Sequence, residues 1–193
     1  MAKQLPMSVL RRELQTMTES TRDTHPAKIE ALRRTTPHSI EVLTDNNSLF
    51  AFNCVMYAFG IEQDARYIRL ARLCLDLDPN DDPSPDYQGV HADTGFVEFL
   101  ISEDRISERT ADSKGGVAIY CSDGRVKHIG RVIEHSRIAS KWGSGHLYAH
   151  ALAEVPSNYG GTLRFFSGLS PEQTLDAFVA YAASKGIRLR GSD

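Results

Sequence analysis

Apolar residues recur at helical spacing in the first part of the chain, where longer polar stretches separate them. Residues 8–21 and 25–34 each predict a short amphipathic helix, and Pro26 is tolerated because it falls in the first turn of the second helix. Both patterns are weak, since most positions are polar. We therefore predict that residues 1–37 form a helical extension, either packed on or loosely tethered to a main domain of residues 38–193.

Two further helices are predicted before the middle of the chain. The first spans residues 46–59, after an Asp-Asn-Asn-Ser cluster that suits a helix N-terminus, and Gly60 suits its end. The second spans residues 64–75 and precedes a loop rich in proline and aspartate at 76–89. The apolar run at 96–101 fits either a strand or a short helix, because its periodicity does not separate the two.

After residue 116 the apolar pattern changes to a period of two, which is typical of strands. Asp123-Gly124, between two such runs, is a strong hairpin signal, and Ser170 suits the N-cap of a final helix. The pattern predicts four strands and one helix, at residues 117–121, 125–133, 137–141, 161–166 and 171–185. Together the elements predict an α+β fold in which helices pack on an antiparallel sheet of about four or five strands.

Composition excludes several classes of protein. With 193 residues, 41% of them hydrophobic and 24% charged, the chain has the composition of an ordinary globular protein. Its net charge of -3 gives no cationic surface for a nucleic acid. No apolar stretch suits a signal peptide or a membrane span. We therefore expect synthesis in the cytosol, and export by a route that needs no signal peptide stays open.

The chain has three cysteines, Cys54, Cys74 and Cys121. Their wide spacing indicates neither a disulfide framework nor a thiolate zinc site, which suits a reducing compartment. Cys74 and Cys121 lie in apolar patterns typical of core residues. Cys54 lies where a helix begins, and unpaired N–H groups there stabilise a thiolate, which predicts a lowered pKa. The alternative is that Cys54 is a small core residue.

A histidine lies in the middle of the second predicted strand. Strict alternation places four residues on one face of this strand, namely Val126, His128, Gly130 and Val132. An isolated buried histidine is most often hydrogen-bonded to a neighbour and has no catalytic role. Together with a cysteine at a helix start, however, His128 supplies the base that a cysteine nucleophile needs.

The remaining histidines give no metal site. His135, His146 and His150 include no HExxH pattern and have no carboxylate at ligand spacing, so we predict no metal and no cofactor. The acidic residues 76–82 lack the glycine and closing glutamate of a calcium loop. Trp142 suits either a wall of a substrate cleft or a plug at the edge of the sheet.

Two segments resemble the papain-like cysteine hydrolases, above all the NlpC-type peptidases and the CHAP amidases. NCVMYAFG at residues 53–60 is similar to their cysteine helix, and GGVAIYCSDGRVKHIGRVI at 115–133 is similar to their strand pair with histidine in the second strand. SKWG at 140–143, with the later His150 and Tyr159-Gly160, resembles an uncharacterised branch of this superfamily. The resemblance covers about residues 46–166 and implies a papain-like fold, with the cysteine helix packed on an antiparallel sheet.

The resemblance also implies roles for individual residues. Cys54 is expected to be the nucleophile and His128 the general base, oriented by a third group on the next strand. The family places histidine, asparagine, glutamine or aspartate there, whereas this chain has Ser140 and Lys141. Lysine cannot accept a hydrogen bond from an imidazole, so we prefer Ser140, with a backbone carbonyl as the equal alternative.

The expected binding residues surround this dyad. The backbone N–H of Cys54, helped by the side chain of Asn53 or Asn47, is expected to hold the oxyanion, although helix capping explains Asn47 equally well. Three residues that follow the histidine strand are expected to contact substrate, namely Lys141, Trp142 and His146.

The expected function is hydrolysis of an amide or peptide bond. The superfamily implies a peptidoglycan peptide amidase or endopeptidase, delivered for example as an antibacterial toxin, with a peptide or peptidoglycan fragment as substrate and an inhibitor protein as a further partner. A protein-directed cysteine protease or deamidase is the main alternative enzyme. A papain-like binding module without catalysis, in which Cys54 is a core residue, is the alternative from another class.

Overall fold

The structure, a computed structural model, describes residues 2–43, 52–74, 90–110 and 112–187, without the side chains of residues 72–74. Asn47, the side chain of Cys74 and the predicted loop at 76–89 therefore lie outside the described residues. Six α-helices are described: α1 (Val9–Thr18), α2 (His25–Thr35), α3 (Cys54–Phe59), α4 (Ala65–Cys74), α5 (Thr94–Ser102) and α6 (Pro171–Ser184). Eight strands are described: β1 (Lys3–Gln4), β2 (Glu41–Leu43), β3 (Glu108–Arg109), β4 (Val117–Ser122), β5 (Arg125–Glu134), β6 (Arg137–Lys141), β7 (Leu147–Ala151) and β8 (Thr162–Phe166).

The strands form a single antiparallel sheet in the order β1-β8-β4-β5-β6-β7-β2, and β3 also pairs with β8. The α+β class is confirmed, but the predicted count of four or five strands is too low. β7 and the three short strands β1, β2 and β3 were not predicted. The ambiguous run at 96–101 is helical, because Asp93 caps α5 by accepting a hydrogen bond from Phe96 N–H at 3.1 Å.

Hydrophobic residues cover both faces of the sheet. On one face α3, α5 and α6 pack on Val117, Ile119 and Ile129. On the other face α1 and α2 pack on residues that include Ala118 and Tyr120. Successive residues of β4 therefore alternate between two cores, and five of its six residues are buried.

The N-terminal segment belongs to the second core. Leu14 of α1 and Ile29 of α2 are buried in it, and β1 extends the sheet by pairing with β8. Residues 2–37 are thus packed on the sheet, which is the first of the two arrangements that we considered.

Candidate functional site

Cys54 is the first residue of α3, which begins later than the predicted start at residue 46 because Asn53 has extended backbone and caps the helix. The helix cap is Asn53, whose Oδ1 accepts hydrogen bonds from Val55 N–H and Met56 N–H at 2.9 Å each. Its Nδ2 donates to the carbonyl oxygen of Ala92 at 2.9 Å. The structure therefore engages both ends of the Asn53 side chain in holding the start of α3, whereas we had expected this residue to contact the oxyanion.

The thiol of Cys54 faces a break in the sheet. The ladder between β5 and β6 begins at Arg131, which pairs with Ala139, so Ile129 lies beyond it and pairs only with Ile119 of β4. The backbone N–H of Ile129 faces the thiol and favours its charged form. The N–H of Ile129 is thus available to the thiol, whereas in a continuous ladder it would be hydrogen-bonded to β6.

Burial nevertheless raises the pKa of the Cys54 thiol above its ordinary value. The N–H groups of Ile129, Cys54 and Val55 and the charge of Lys141 act in the opposite direction and do not offset the burial. The expectation of a lowered pKa is therefore wrong for this structure. The thiol is therefore protonated at neutral pH, and the residue as a whole is half-buried.

A bulge in β5 determines where His128 points. Tyr120 pairs with His128 whereas Cys121 pairs with Val126, so Lys127 is an extra residue. Val126 and Ile129 consequently pack in the same core, and His128 faces the other one, where its ring lies 5.8 Å from that of Tyr120. The prediction that Val126 and His128 share a face is wrong, because strict alternation assumes a strand without a bulge.

His128 is a buried, neutral imidazole. It is 2% exposed, and within the described part of the chain its Nε2 atom has no hydrogen-bond partner. Burial holds its pKa well below the ordinary value, and the nearby His150 acts in the same direction. An unpaired buried nitrogen is costly and rare, which makes this atom the feature of the site that most requires a functional explanation.

Cys54 lies beside β5, the strand that carries His128, and packs on the first core, whereas His128 faces the second core. The thiol faces the N–H of Ile129, which is the residue after His128. Among the described residues, no hydrogen bond joins the thiol to the imidazole. Catalytic hydrogen bonds are often long before substrate binds and shorten in the complex, so a bond between these two groups would have to form on substrate binding.

Ser140 has other partners than His128. Its hydroxyl lies 2.8 Å from His150 Nε2 and accepts a hydrogen bond from Trp142 Nε1–H at 2.9 Å. His150 Nδ1 lies 2.9 Å from the carbonyl oxygen of Ala151 and must donate to it, so Nε2 of the neutral ring accepts from the Ser140 hydroxyl. No hydrogen bond between Ser140 and His128 occurs in the described structure, so the expected orienting bond is not formed there.

Of the three predicted binding residues after the histidine strand, Lys141 lies near the thiol. Its ammonium donates to the carbonyl oxygens of Gly143 at 3.1 Å and Gly145 at 2.8 Å, and burial lowers its pKa to about 8.

Trp142 is fully buried and stacks on Tyr148, with 4.2 Å between ring centroids. His146 is also buried, with Nε2 3.2 Å from the carbonyl oxygen of Arg22. Trp142 and His146 therefore act as packing residues in this structure.

Two residues that bear on His128 were not predicted from the sequence: Tyr159, which contacts it, and Arg11, which supports Tyr159. The ring of Tyr159 stacks on the imidazole, and Arg11 of α1 holds the turn that carries Tyr159. In the sequence, Tyr159 stands out only as part of the short Tyr159-Gly160 motif. Arg11 lies on a helix that reads as amphipathic and polar, so its pattern gives no sign that it is buried.

The buried histidines predict a loss of stability in acid. Burial lowers the pKa of His150 to about 4, whereas an unfolded chain gains this proton near pH 6.5. Between these values the unfolded state binds more protons, so stability is complete above pH 6.5 and falls as the pH drops toward 4. His150 alone should lower the free energy of unfolding by about 3 kcal/mol at pH 4. Urea unfolding at several pH values measures this.

His150→Gln is the matched variant, because its amide can accept from Ser140 but does not titrate. It should retain the part of the acid loss that comes from His25 and His128, whose pKa values burial also lowers. A pH dependence identical to that of the wild type would contradict the assignment to His150.

The described fold and site define an α+β protein with a buried histidine in β5 and a half-buried cysteine at the start of α3. Residues 43–167 match the model of a family described as a domain of unknown function, DUF7689, and the chain belongs to this family. Neither a curated protein nor a solved structure matches the chain. The matched range contains Cys54, His128 and Tyr159 but not Arg11.

No described helix is both long and apolar enough to cross a bilayer. No group of three or more potential metal ligands occurs among the described histidine, cysteine, aspartate and glutamate residues.

Proposed function

We propose that this protein is a cysteine hydrolase with a papain-like site, in which Cys54 is the nucleophile and His128 the general base. The observation that carries the proposal is the unpaired Nε2 of the buried His128, in the strand whose next residue, Ile129, directs its backbone N–H at the thiol of the half-buried Cys54. A neutral imidazole has a nitrogen lone pair that can accept a proton, and a neutral thiol must lose one when it attacks.

The reaction begins when Cys54 Sγ attacks the carbonyl carbon of an amide and its proton passes to His128. The backbone N–H groups that surround the thiol stabilise the oxyanion, and the positive charge of Lys141 acts in the same direction. The C–N bond then breaks, His128 gives its proton to the leaving amine, and a thioester remains on Cys54. Water activated by His128 hydrolyses the thioester to a carboxylic acid and restores the thiol.

The first substrate class that we propose is the peptide of peptidoglycan, with the protein made in the cytosol and delivered to other bacteria as an antibacterial effector. This substrate follows from the resemblance of residues 53–60 and 115–133 to NlpC-type and CHAP enzymes. The same chemistry would serve a protein-directed protease or deamidase, which is the alternative within the enzyme class. An inhibitor protein that protects the producing cell belongs to the same proposal.

A specific observation favours a second candidate, a papain-like binding module without catalysis. Burial raises the pKa of Cys54, and no hydrogen bond joins it to His128 among the described residues. A cysteine that serves only packing would have both properties. The two candidates differ in one respect, because only an enzyme needs the reactivity of Cys54 to depend on His128.

A short iodoacetamide pulse between pH 5 and 9, followed by mass spectrometry, separates these candidates. Cys54 should be labelled faster than the buried Cys121, and its rate should rise up to and above the ordinary cysteine pKa near 8.5, since its pKa is raised. His128→Gln should slow the labelling of Cys54 near pH 7, because the base that accepts the thiol proton is lost.

His135→Ala is the control for this experiment, since its imidazole is exposed and paired with Asp112. It should leave the labelling rate unchanged. Equal rates in the wild type, His128→Gln and His135→Ala would overturn the hydrolase proposal in favour of the binding module. Circular dichroism of each variant shows that the compared proteins are folded.

A further inference from the structure

The imidazole of His128 is held between aromatic rings rather than by a hydrogen-bonded side chain. The ring of Tyr159 stacks on it with 3.9 Å between centroids and 11° between planes. The centroid of the Tyr120 ring lies 5.8 Å from that of the imidazole. The Tyr120 hydroxyl is fixed because it donates a hydrogen bond to the carbonyl oxygen of Leu152 at 3.1 Å. A nearly parallel contact at this distance restricts the ring plane of the histidine.

The turn that carries Tyr159 is fixed from α1. It is a single 3-10 turn, Ser157–Tyr159, which has too few internal hydrogen bonds to be rigid alone. The guanidinium of Arg11 donates to the carbonyl oxygens of Val155 at 3.2 Å, of Pro156 at 3.4 Å and of Gly160. Arg11 is 1% exposed, so these bonds are shielded from water.

A second contact joins the same elements. The hydroxyl of Ser157 donates to Oε1 of Gln15, one turn after Arg11 in α1. Helix α1 therefore forms hydrogen bonds to the turn on both sides of Tyr159. This helix lies outside the residues that match the family model.

We propose that Tyr159 is the positioning residue of His128, and that the contacts of Arg11 fix it there in place of the hydrogen-bonded third group of a catalytic triad. This inference rests on the proposed hydrolase function. Ser140 is engaged with His150 and Trp142, so the stacked ring is what orients the imidazole. When His128 receives the thiol proton, the face of the tyrosine ring stabilises the imidazolium by a cation–π contact.

Two substitutions test the role of the ring. Tyr159→Phe keeps the aromatic face and should retain both the alkylation rate of Cys54 near pH 7 and any hydrolysis. Tyr159→Leu keeps an apolar side chain of similar bulk but removes the face. It should lower both by about 10- to 100-fold, as expected when a catalytic group is misplaced by about 1 Å.

Nuclear magnetic resonance of histidine-labelled protein gives a readout that does not depend on activity. The His128 ring protons should appear upfield in the wild type and in Tyr159→Phe, because they lie over a ring current, and should move downfield in Tyr159→Leu. Nuclear Overhauser contacts between the His128 and Tyr159 rings in the wild type give the same information if Tyr159→Leu does not fold.

The outcomes separate this inference from the proposed function. Unchanged His128 resonances in Tyr159→Leu, or no Overhauser contact between the two rings, would overturn the inference whatever the thiol does. Resonances that move as expected, in a protein whose thiol reactivity is the same with and without His128, would overturn the hydrolase function while leaving the stacking contact in place. Shifted His128 resonances together with slower alkylation of Cys54 support both the positioning role of Tyr159 and the hydrolase function.

Discussion

Cys54→Ala is expected to abolish amide hydrolysis, and His128→Gln is expected to reduce kcat by about 100- to 10,000-fold. The first substitution removes the atom that forms the thioester, so no acyl intermediate can form. The second leaves the thiol in place but removes the base that must accept its proton, which the raised pKa of Cys54 makes essential. Assays of peptidoglycan peptides and of protein amides for released amines measure the losses.

The thioester provides direct evidence for the nucleophile. Intact-protein mass spectrometry after mixing with a substrate should show an acyl adduct on Cys54 that hydroxylamine removes. Cys121→Ala is the matched control, because Cys121 is a buried residue of β4 and forms part of the core. Hydrolysis that persists in Cys54→Ala, or an adduct on Cys121, would refute the assignment of the nucleophile.

The elements that the sequence predicted well carry strong local signals. α6 has a proline in its first turn and a capping box between Ser170 and Gln173. β4 and β5 are joined by Asp123 and Gly124, both of which have positive φ angles. β6 has the predicted bounds, because its turn and its alternation agree. Such signals depend on neighbours in sequence and need no tertiary contact.

The elements that were missed lack such signals. β7 is a five-residue strand that follows a glycine-rich loop, and its three central residues are all buried, so it shows no clear alternation. β1, β2 and β3 have two or three residues each, and their pairing with distant strands defines them. No window of sequence is long enough to show a period at that length.

The candidate site was predictable only in part for the same reason. The cysteine at the start of α3 follows from local sequence, and the mid-strand histidine does too. The partners of His128 do not: Arg11 bonds to Gly160 across 149 positions of the chain, and the bulge at Lys127 depends on the register with β4. Ser140, the third group predicted on β6, is hydrogen-bonded to His150 and Trp142, while the ring of Tyr159 from a distant turn stacks on the imidazole.

The largest effect on stability is expected for Gly160→Ala, at the end of the Tyr159 turn. Gly160 has φ 99° and ψ 170°, a conformation that residues with a Cβ atom avoid, and a Cβ atom there would lie 2.1 Å from the carbonyl oxygen of Cys121. Because the neighbour is backbone of β4, it cannot rotate away. Strain and overlap together should lower the free energy of unfolding by about 4 kcal/mol, a large part of the stability of a typical domain.

Gly115→Ala separates the two causes. Gly115 also has a positive φ, of 80°, but a Cβ atom there would meet no atom within 4 Å, so only the backbone strain of about 1 kcal/mol should remain. Urea unfolding of both variants at pH 7.5 measures the difference. If Gly160→Ala lost no more stability than Gly115→Ala, the turn could shift away from β4 without cost. The rigid support that places Tyr159 against His128 would then be absent, and with it the physical basis for the order of this site.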